Sequence, residues 1–122
     1  MSDTPDYKKY KNVDAQTLNE HIRETYGLEM AQKIALLASA RALDSADHAG
    51  NYAQKLGYPE TPGTERGNIQ FYILEEKKRI VADLESTGRE GIVVKSRLGS
   101  SLEELRADVQ HSRAEYGKPG RW

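Results

Sequence analysis

The chain has 122 residues, of which 37% are hydrophobic and 30% are charged, and its formal net charge is −1. This length predicts one domain with a modest core, and the near-zero charge favours neither nucleic acid nor an acidic membrane as a partner. The absence of cysteine excludes disulfides, thiolate zinc sites and cysteine nucleophiles. The chain has neither a run of about 18 apolar residues nor the apolar core of a signal peptide. We therefore expect a cytoplasmic protein that does not bind membranes.

The first segment, residues 1–12, is polar and is expected to form an arm that is disordered or lies on the protein surface. Residues 7–11 are all Tyr or Lys, so an alternative function is contact with a partner or a phosphate backbone, to which lysine offers charge and tyrosine a stacking face. Asp14 follows as the predicted N-cap of a short helix from about Ala15 to Thr25.

The longest apolar pattern runs from Leu28 to Leu56 and predicts one long central helix. Its alanines recur every three or four residues, which predicts a shallow groove that a second helix can approach closely. A Pro- and Gly-rich loop follows, and a helix from about Asn68 to Ser86 is expected to pack antiparallel against the groove. Its charged belt, residues 75–79, is interpreted as a solvated face, the alternative being that it marks where the helix pair meets something else.

The β-branched run from Ile92 to Val94 favours a short extended segment over about 92–97, although it could instead join a helix. As a strand it would have to pair with the region around residues 7–13, with a second copy or with a partner. The sequence from Ser101 to Glu104 is a capping box and predicts the start of a last helix. The predicted fold class is therefore mainly α, an antiparallel helical hairpin or bundle on one long central helix, with a short extended segment and a C-terminal helix.

The domain organisation predicted from these elements is a single helical domain over residues 1–122. It carries the polar arm, residues 1–12, and a basic aromatic tail, residues 116–122. Gly and Pro exclude a helix in the tail, which either frays or docks on the protein itself or on a partner.

The low apolar content and the narrow apolar stripe of the last helix suggest that the chain completes its core by association with a partner or a second copy. The main hypothesis is a non-enzymatic protein-interaction module, such as a small accessory subunit, an adaptor or an oligomeric assembly factor. The predicted partner-binding residues are Ile92, Val93, Val94, Leu102, Leu105, Val109, Tyr116 and Trp122.

Two alternatives remain open at this point. The C-terminal third carries a small excess of positive charge, so the chain could be a nucleic-acid-associated accessory protein. The basic residues that would serve this role are Arg89, Lys95, Arg97, Arg113, Lys118 and Arg121.

The second alternative is a small-ligand binder or an enzyme that uses Asp44 and His48, because a carboxylate can orient an imidazole on one helix face. No nucleophile is placed beside this pair by the sequence, which favours a surface pair instead. His21 between Glu20 and Glu24, and Asp108 near His111, are likewise interpreted as surface side chains. We therefore expect no metal and no cofactor.

Overall fold

A computed structural model describes the backbone of residues 4–55 and 64–115, and the side chains of residues 4–44 and 72–114. This part of the chain is mainly α, as the sequence predicts. Its helices are α1 (Ala15–Tyr26), α2 (Leu28–Lys55), α3 (Thr64–Glu85), α4 (Arg89–Leu98) and α5 (Leu102–Glu115).

The helix starts follow the local signals in the sequence. The Asp14 carboxylate accepts a hydrogen bond of 2.8 Å from the backbone N–H of Thr17 and so caps α1. Before α5, the Ser101 hydroxyl accepts from the Glu104 N–H at 3.1 Å and donates to the Glu104 carboxylate at 3.2 Å. The predicted N-cap at Asp14 is therefore confirmed, as is the predicted start of the last helix after Ser101, whose hydroxyl caps it.

Gly27 connects α1 to α2 without an intervening loop. Its φ of 89° and ψ of 168° lie in a region that is open almost only to glycine. Its N–H donates to the carbonyl oxygen of Arg23 at 3.0 Å, which ends α1.

The core consists of two clusters of buried side chains. The larger one joins the first four helices and the segment before them, and the smaller one joins α2 to α5 through Ala40, Leu43 and Val109. The helices α2 and α3 both contribute side chains to the larger cluster, while the predicted packing of large side chains into an alanine groove stays a prediction. The antiparallel orientation of that pair stays a prediction. The larger cluster contains Tyr10, Leu18, Ile22, Ile34, Leu37, Ala38, Ile80, Val81, Val94 and Leu98.

The predicted extended segment over residues 92–97 is wrong, because these residues belong to α4. Gly91, Val94 and Leu98 are buried and follow helical spacing, so burial of one helix face outweighs the strand propensity of the β-branched run. Gly91 lies so close to the end of α3 that a Cβ atom would come within 2.7 Å of the carbonyl oxygens of Asp83 and Ser86.

The charged belt of α3 is not the solvated face that the sequence suggests. Glu76 and Lys78 are buried, and the Lys78 ammonium donates to the carbonyl oxygen of Lys11 at 3.1 Å. Lys77 donates to the amide oxygen of Asn19 at 3.2 Å. The belt is therefore where α3 meets α1 and the segment before it.

None of the described helices has the length and apolarity that a membrane crossing requires.

Candidate functional site

The segment before α1 lies along the C-terminal half of α3. The Tyr7 hydroxyl donates to Asp83 Oδ1 at 2.8 Å, and the Lys9 ammonium lies 2.5 Å from Glu85 Oε2. Tyr10 is buried and donates to the other oxygen of Glu85. From residue 4 onward the predicted arm is thus a docked surface segment, and residues 1–3 lie outside the described residues.

Both phenols in this segment are held in their protonated form. Burial raises the pKa of Tyr7 to about 12, and the hydrogen bond to Asp83 acts in the same direction. Burial likewise raises the pKa of Tyr10 to about 12, with a further contribution from the hydrogen bond to Glu85. At neutral pH these tyrosines are therefore hydrogen-bond donors rather than bases.

Two open cavities adjoin the Tyr7–Asp83 contact, and the side chains of Arg41 and Asp83 line both of them. The larger has a volume of about 370 Å³, and its lining residues are Tyr7, Arg41, Asp44, Glu76, Arg79 and Asp83. The smaller, which we call the arginine notch, has a volume of about 230 Å³. Its lining residues are Arg41, Asp83, Arg89, Glu90, Val93 and Val94.

The arginines around these cavities differ in their pairing. Arg79 donates to the Glu76 carboxylate at 3.3 Å. Arg41 is half-buried, and neither Arg41 nor Arg89 makes a hydrogen bond or ion pair with any residue of the described part of the chain. The notch is therefore lined by two arginine residues that make no hydrogen bond or ion pair within the described part of the chain.

Asp83 places a carboxyl group at the notch beside Arg41. Burial raises the pKa of its carboxyl group, although the Tyr7 hydrogen bond and the charge of Arg41 act against that shift. The Asp83 side chain is thus engaged by Tyr7 on one side and faces Arg41 on the other.

Beside the notch, α4 exposes two adjacent large apolar side chains. Ile92 is 67% exposed and Val93 is 47% exposed, and we call these two residues the α4 patch. Arg89 lies three and four positions before them, which is the spacing of neighbours on one helix face. Val93 belongs both to the patch and to the wall of the notch.

The predicted partner-binding residues differ in their exposure to solvent. Val94, Leu105 and Val109 are buried inside the chain, and Leu102 is half-buried. Of the predicted set, the described structure exposes Ile92 and Val93. Tyr116 and Trp122 lie outside the described residues.

The predicted nucleic-acid-binding residues do not all offer an unpaired charge. Arg89, Lys95, Arg97 and Arg113 are exposed on α4 and α5, but Arg97 lies 2.8 Å from the Asp108 carboxylate and is neutralised by it. Arg89 is brought close to Arg41, which the sequence did not suggest. Lys118 and Arg121 lie outside the described residues, and nucleic-acid binding stays a prediction.

The remaining candidates from the sequence are the Asp44–His48 pair and the histidines with nearby carboxylates. Asp44 is exposed at the larger cavity, while the side chain of its predicted partner His48 lies outside the described residues. His21 lies 3.3 Å from the Tyr10 hydroxyl. Among the residues that the structure describes, no three acidic or histidine side chains are grouped so that they could hold a metal ion.

The sequence did not identify Tyr7, Arg41 and Asp83 as one cluster. A signal for Asp83 exists, since this acidic residue lies beside Ile80 and Leu84 on the apolar side of α3, where an unpaired carboxylate would be costly. Its partner could not be found by spacing, because Tyr7 is 76 positions away.

Comparisons with protein-family models, with curated proteins and with solved structures find no match to this chain.

Proposed function

We propose that this chain is a non-enzymatic protein-interaction module whose interface includes the α4 patch. The observation that carries the proposal is the exposure of Ile92 and Val93 beside the arginine notch. Exposed apolar patches that are rimmed by polar residues mark interaction sites, and arginine is among the residues that contribute most to binding energy at interfaces.

The rest of the described structure supports this proposal by acting as a scaffold. Val94 and Leu98 fix α4 against the core, so the outward side chains are presented by a rigid helix rather than a loop. The polar contacts of Tyr7 and Tyr10 hold a chain segment against α3. In our proposal the antiparallel pair of α2 and α3 supports α4, and the partner is another cytoplasmic protein or a second copy.

The test is site-specific cross-linking in cells that make the protein. A photoreactive amino acid replaces Ile92 in the full chain, and the matched control places it at Gln110, which is exposed on α5. We expect covalent adducts from position 92 and none from position 110. An adduct of twice the chain mass identifies a second copy, and any other mass identifies a different protein.

To test whether the adduct depends on the α4 patch, Val93→Glu is added to the chain that carries the photoreactive residue at position 92. A buried interface tolerates a carboxylate poorly, so the adduct at position 92 should fall by at least about tenfold. Equal adducts from positions 92 and 110, or none from position 92, would overturn the proposal.

A further inference from the structure

We propose that the arginine notch binds a carboxylate side chain from an acidic segment of a partner protein, while a neighbouring apolar side chain of that segment packs on the α4 patch. This inference rests on the proposed function, because it specifies the chemistry of the partner at the same surface.

Two arginine residues from different helices line the notch. Arg41 is half-buried on α2 and Arg89 is exposed at the start of α4, and both line one cavity of about 230 Å³. Within the described part of the chain, neither is paired. A guanidinium is a planar fork of donors that matches the two oxygens of a carboxylate, so two of them in one cavity favour a carboxylate over a neutral group.

Two carboxyl groups also line the notch, and neither prevents this binding. The Tyr7 hydroxyl already donates to the Asp83 carboxylate, which offsets part of its negative charge inside the chain. Glu90 is exposed to solvent, where water and salt screen its charge.

The size of the cavity indicates what carries the carboxylate. Sites for free small molecules usually have volumes of about 300–1,000 Å³. A notch of about 230 Å³ suits one acidic side chain better than a whole metabolite. Because Val93 forms its wall and continues into the α4 patch, the same segment can place an apolar side chain on Ile92 and Val93.

The first experiment is a selection of displayed random peptides against the full chain. We expect the enriched peptides to carry Asp or Glu next to, or one helical turn from, a large apolar residue. A synthetic peptide of the enriched sequence is then measured by fluorescence anisotropy. Arg41→Gln and Arg89→Gln should each weaken binding about tenfold, since each removes a charge-assisted hydrogen bond.

The matched control is Arg106→Gln, because Arg106 is exposed on α5 and lines neither cavity. It should leave the affinity unchanged. Replacing the peptide's acidic residue by its amide should also cost about tenfold, and should cost much less in the Arg89→Gln chain, as expected for directly interacting groups. Arg89 is exposed, so this variant tests the inference even if Arg41→Gln lowers stability.

The inference would be overturned if the enriched peptides lack an acidic residue. It would also be overturned if neither Arg41→Gln nor Arg89→Gln changes the affinity for the peptide. A third result would also overturn it: a short DNA duplex displaces the peptide, and the affinity for that duplex falls in the same two variants. The notch would then bind phosphate groups. Cross-linking separates these failures from that of the proposed function. An adduct at position 92 that survives Arg41→Gln and Arg89→Gln keeps the interface and rejects the notch. No adduct from the photoreactive residue at position 92 when both arginines are present rejects both proposals.

Discussion

Tyr7 and Tyr10 attach the segment before α1 to α3 through hydrogen bonds that need protonated phenols. Tyr7→Phe removes the hydroxyl that donates to Asp83. The carboxyl group of Asp83, a buried residue, then loses this hydrogen bond. We expect the free energy of unfolding to fall by about 1–3 kcal/mol, the usual cost of an unsatisfied buried polar group. Urea denaturation followed by circular dichroism measures this change.

The matched control for Tyr7→Phe is Tyr26→Phe. Tyr26 is half-buried, and its hydroxyl makes no hydrogen bond to a residue in the described ranges. Its loss should change the free energy of unfolding by less than about 0.5 kcal/mol. Equal effects of the two substitutions would show that the Asp83 contact contributes nothing specific.

Alkaline pH should weaken the same attachment. The pKa values of Tyr7 and Tyr10 are raised in the folded state from 10.0 to about 12, so the folded chain binds these protons more tightly than the unfolded chain. Their contribution is fully present below pH 10 and is lost as the pH rises toward about 12. Urea denaturation at several pH values should show the free energy of unfolding falling between pH 10 and about 12. The slope of that fall against pH should be smaller in Tyr7→Phe. An unchanged slope would contradict it.

For individual residues, the sequence predicts contacts between positions that are close along the chain and misses contacts between positions that are far apart along it. The caps at Asp14 and Ser101 each involve a residue three positions away, so the spacing alone identifies them. The contact from Tyr7 to Asp83 spans 76 positions and depends on how the helices pack.

At the scale of elements, the close approach of α4 to α3 depends on Gly91. Gly91→Ala would place a methyl group against two backbone carbonyl oxygens, which cannot move aside as a flexible side chain can. We expect a loss of about 1–3 kcal/mol in the free energy of unfolding, as for other overpacked sites. Thermal denaturation followed by circular dichroism provides the measurement.

Ser96→Ala is the control for this substitution because Ser96 is exposed on the same helix. Alanine is the better helix former, so stability should stay the same or rise slightly. If Gly91→Ala were as stable as Ser96→Ala, a Cβ atom at position 91 would have to lie farther than 2.7 Å from the carbonyl oxygens of Asp83 and Ser86.

The same contact explains why α4 could not be predicted from its sequence. Ile92, Val93 and Val94 favour a strand locally, and Gly91 favours a break. Burial of Gly91, Val94 and Leu98 on one side of a helix outweighs both preferences, and that burial exists only once α3 is in place. The last helix needed no such context, because its capping box is local.

At the scale of the whole molecule, the apolar periodicity predicts the mainly α fold but not which apolar side chains remain outside. Val93 and Val94 are neighbours of the same type, yet Val94 is 1% exposed and Val93 is 47% exposed. The distinction depends on the rotation of α4 about its axis, which packing against α2 and α3 determines. Sequence alone therefore grouped a core residue with two interface candidates.

This division predicts that stability and partner binding respond to different residues of one helix. Val94→Ala removes buried methyl groups and should lower the free energy of unfolding by about 2 kcal/mol. Ile92→Ala acts on a side chain that is 67% exposed and should change it by less than about 0.5 kcal/mol. The measurement is urea denaturation of both variants.

Binding of the selected acidic peptide should show the reverse order. Ile92→Ala removes apolar contact area from the interface and should weaken binding about fivefold, equivalent to roughly 1 kcal/mol. Val94→Ala, assayed where the chain is fully folded, should bind nearly as well as the unmodified chain. If binding instead followed stability across the two variants, Ile92 would be an ordinary exposed residue and the α4 patch would not be an interface.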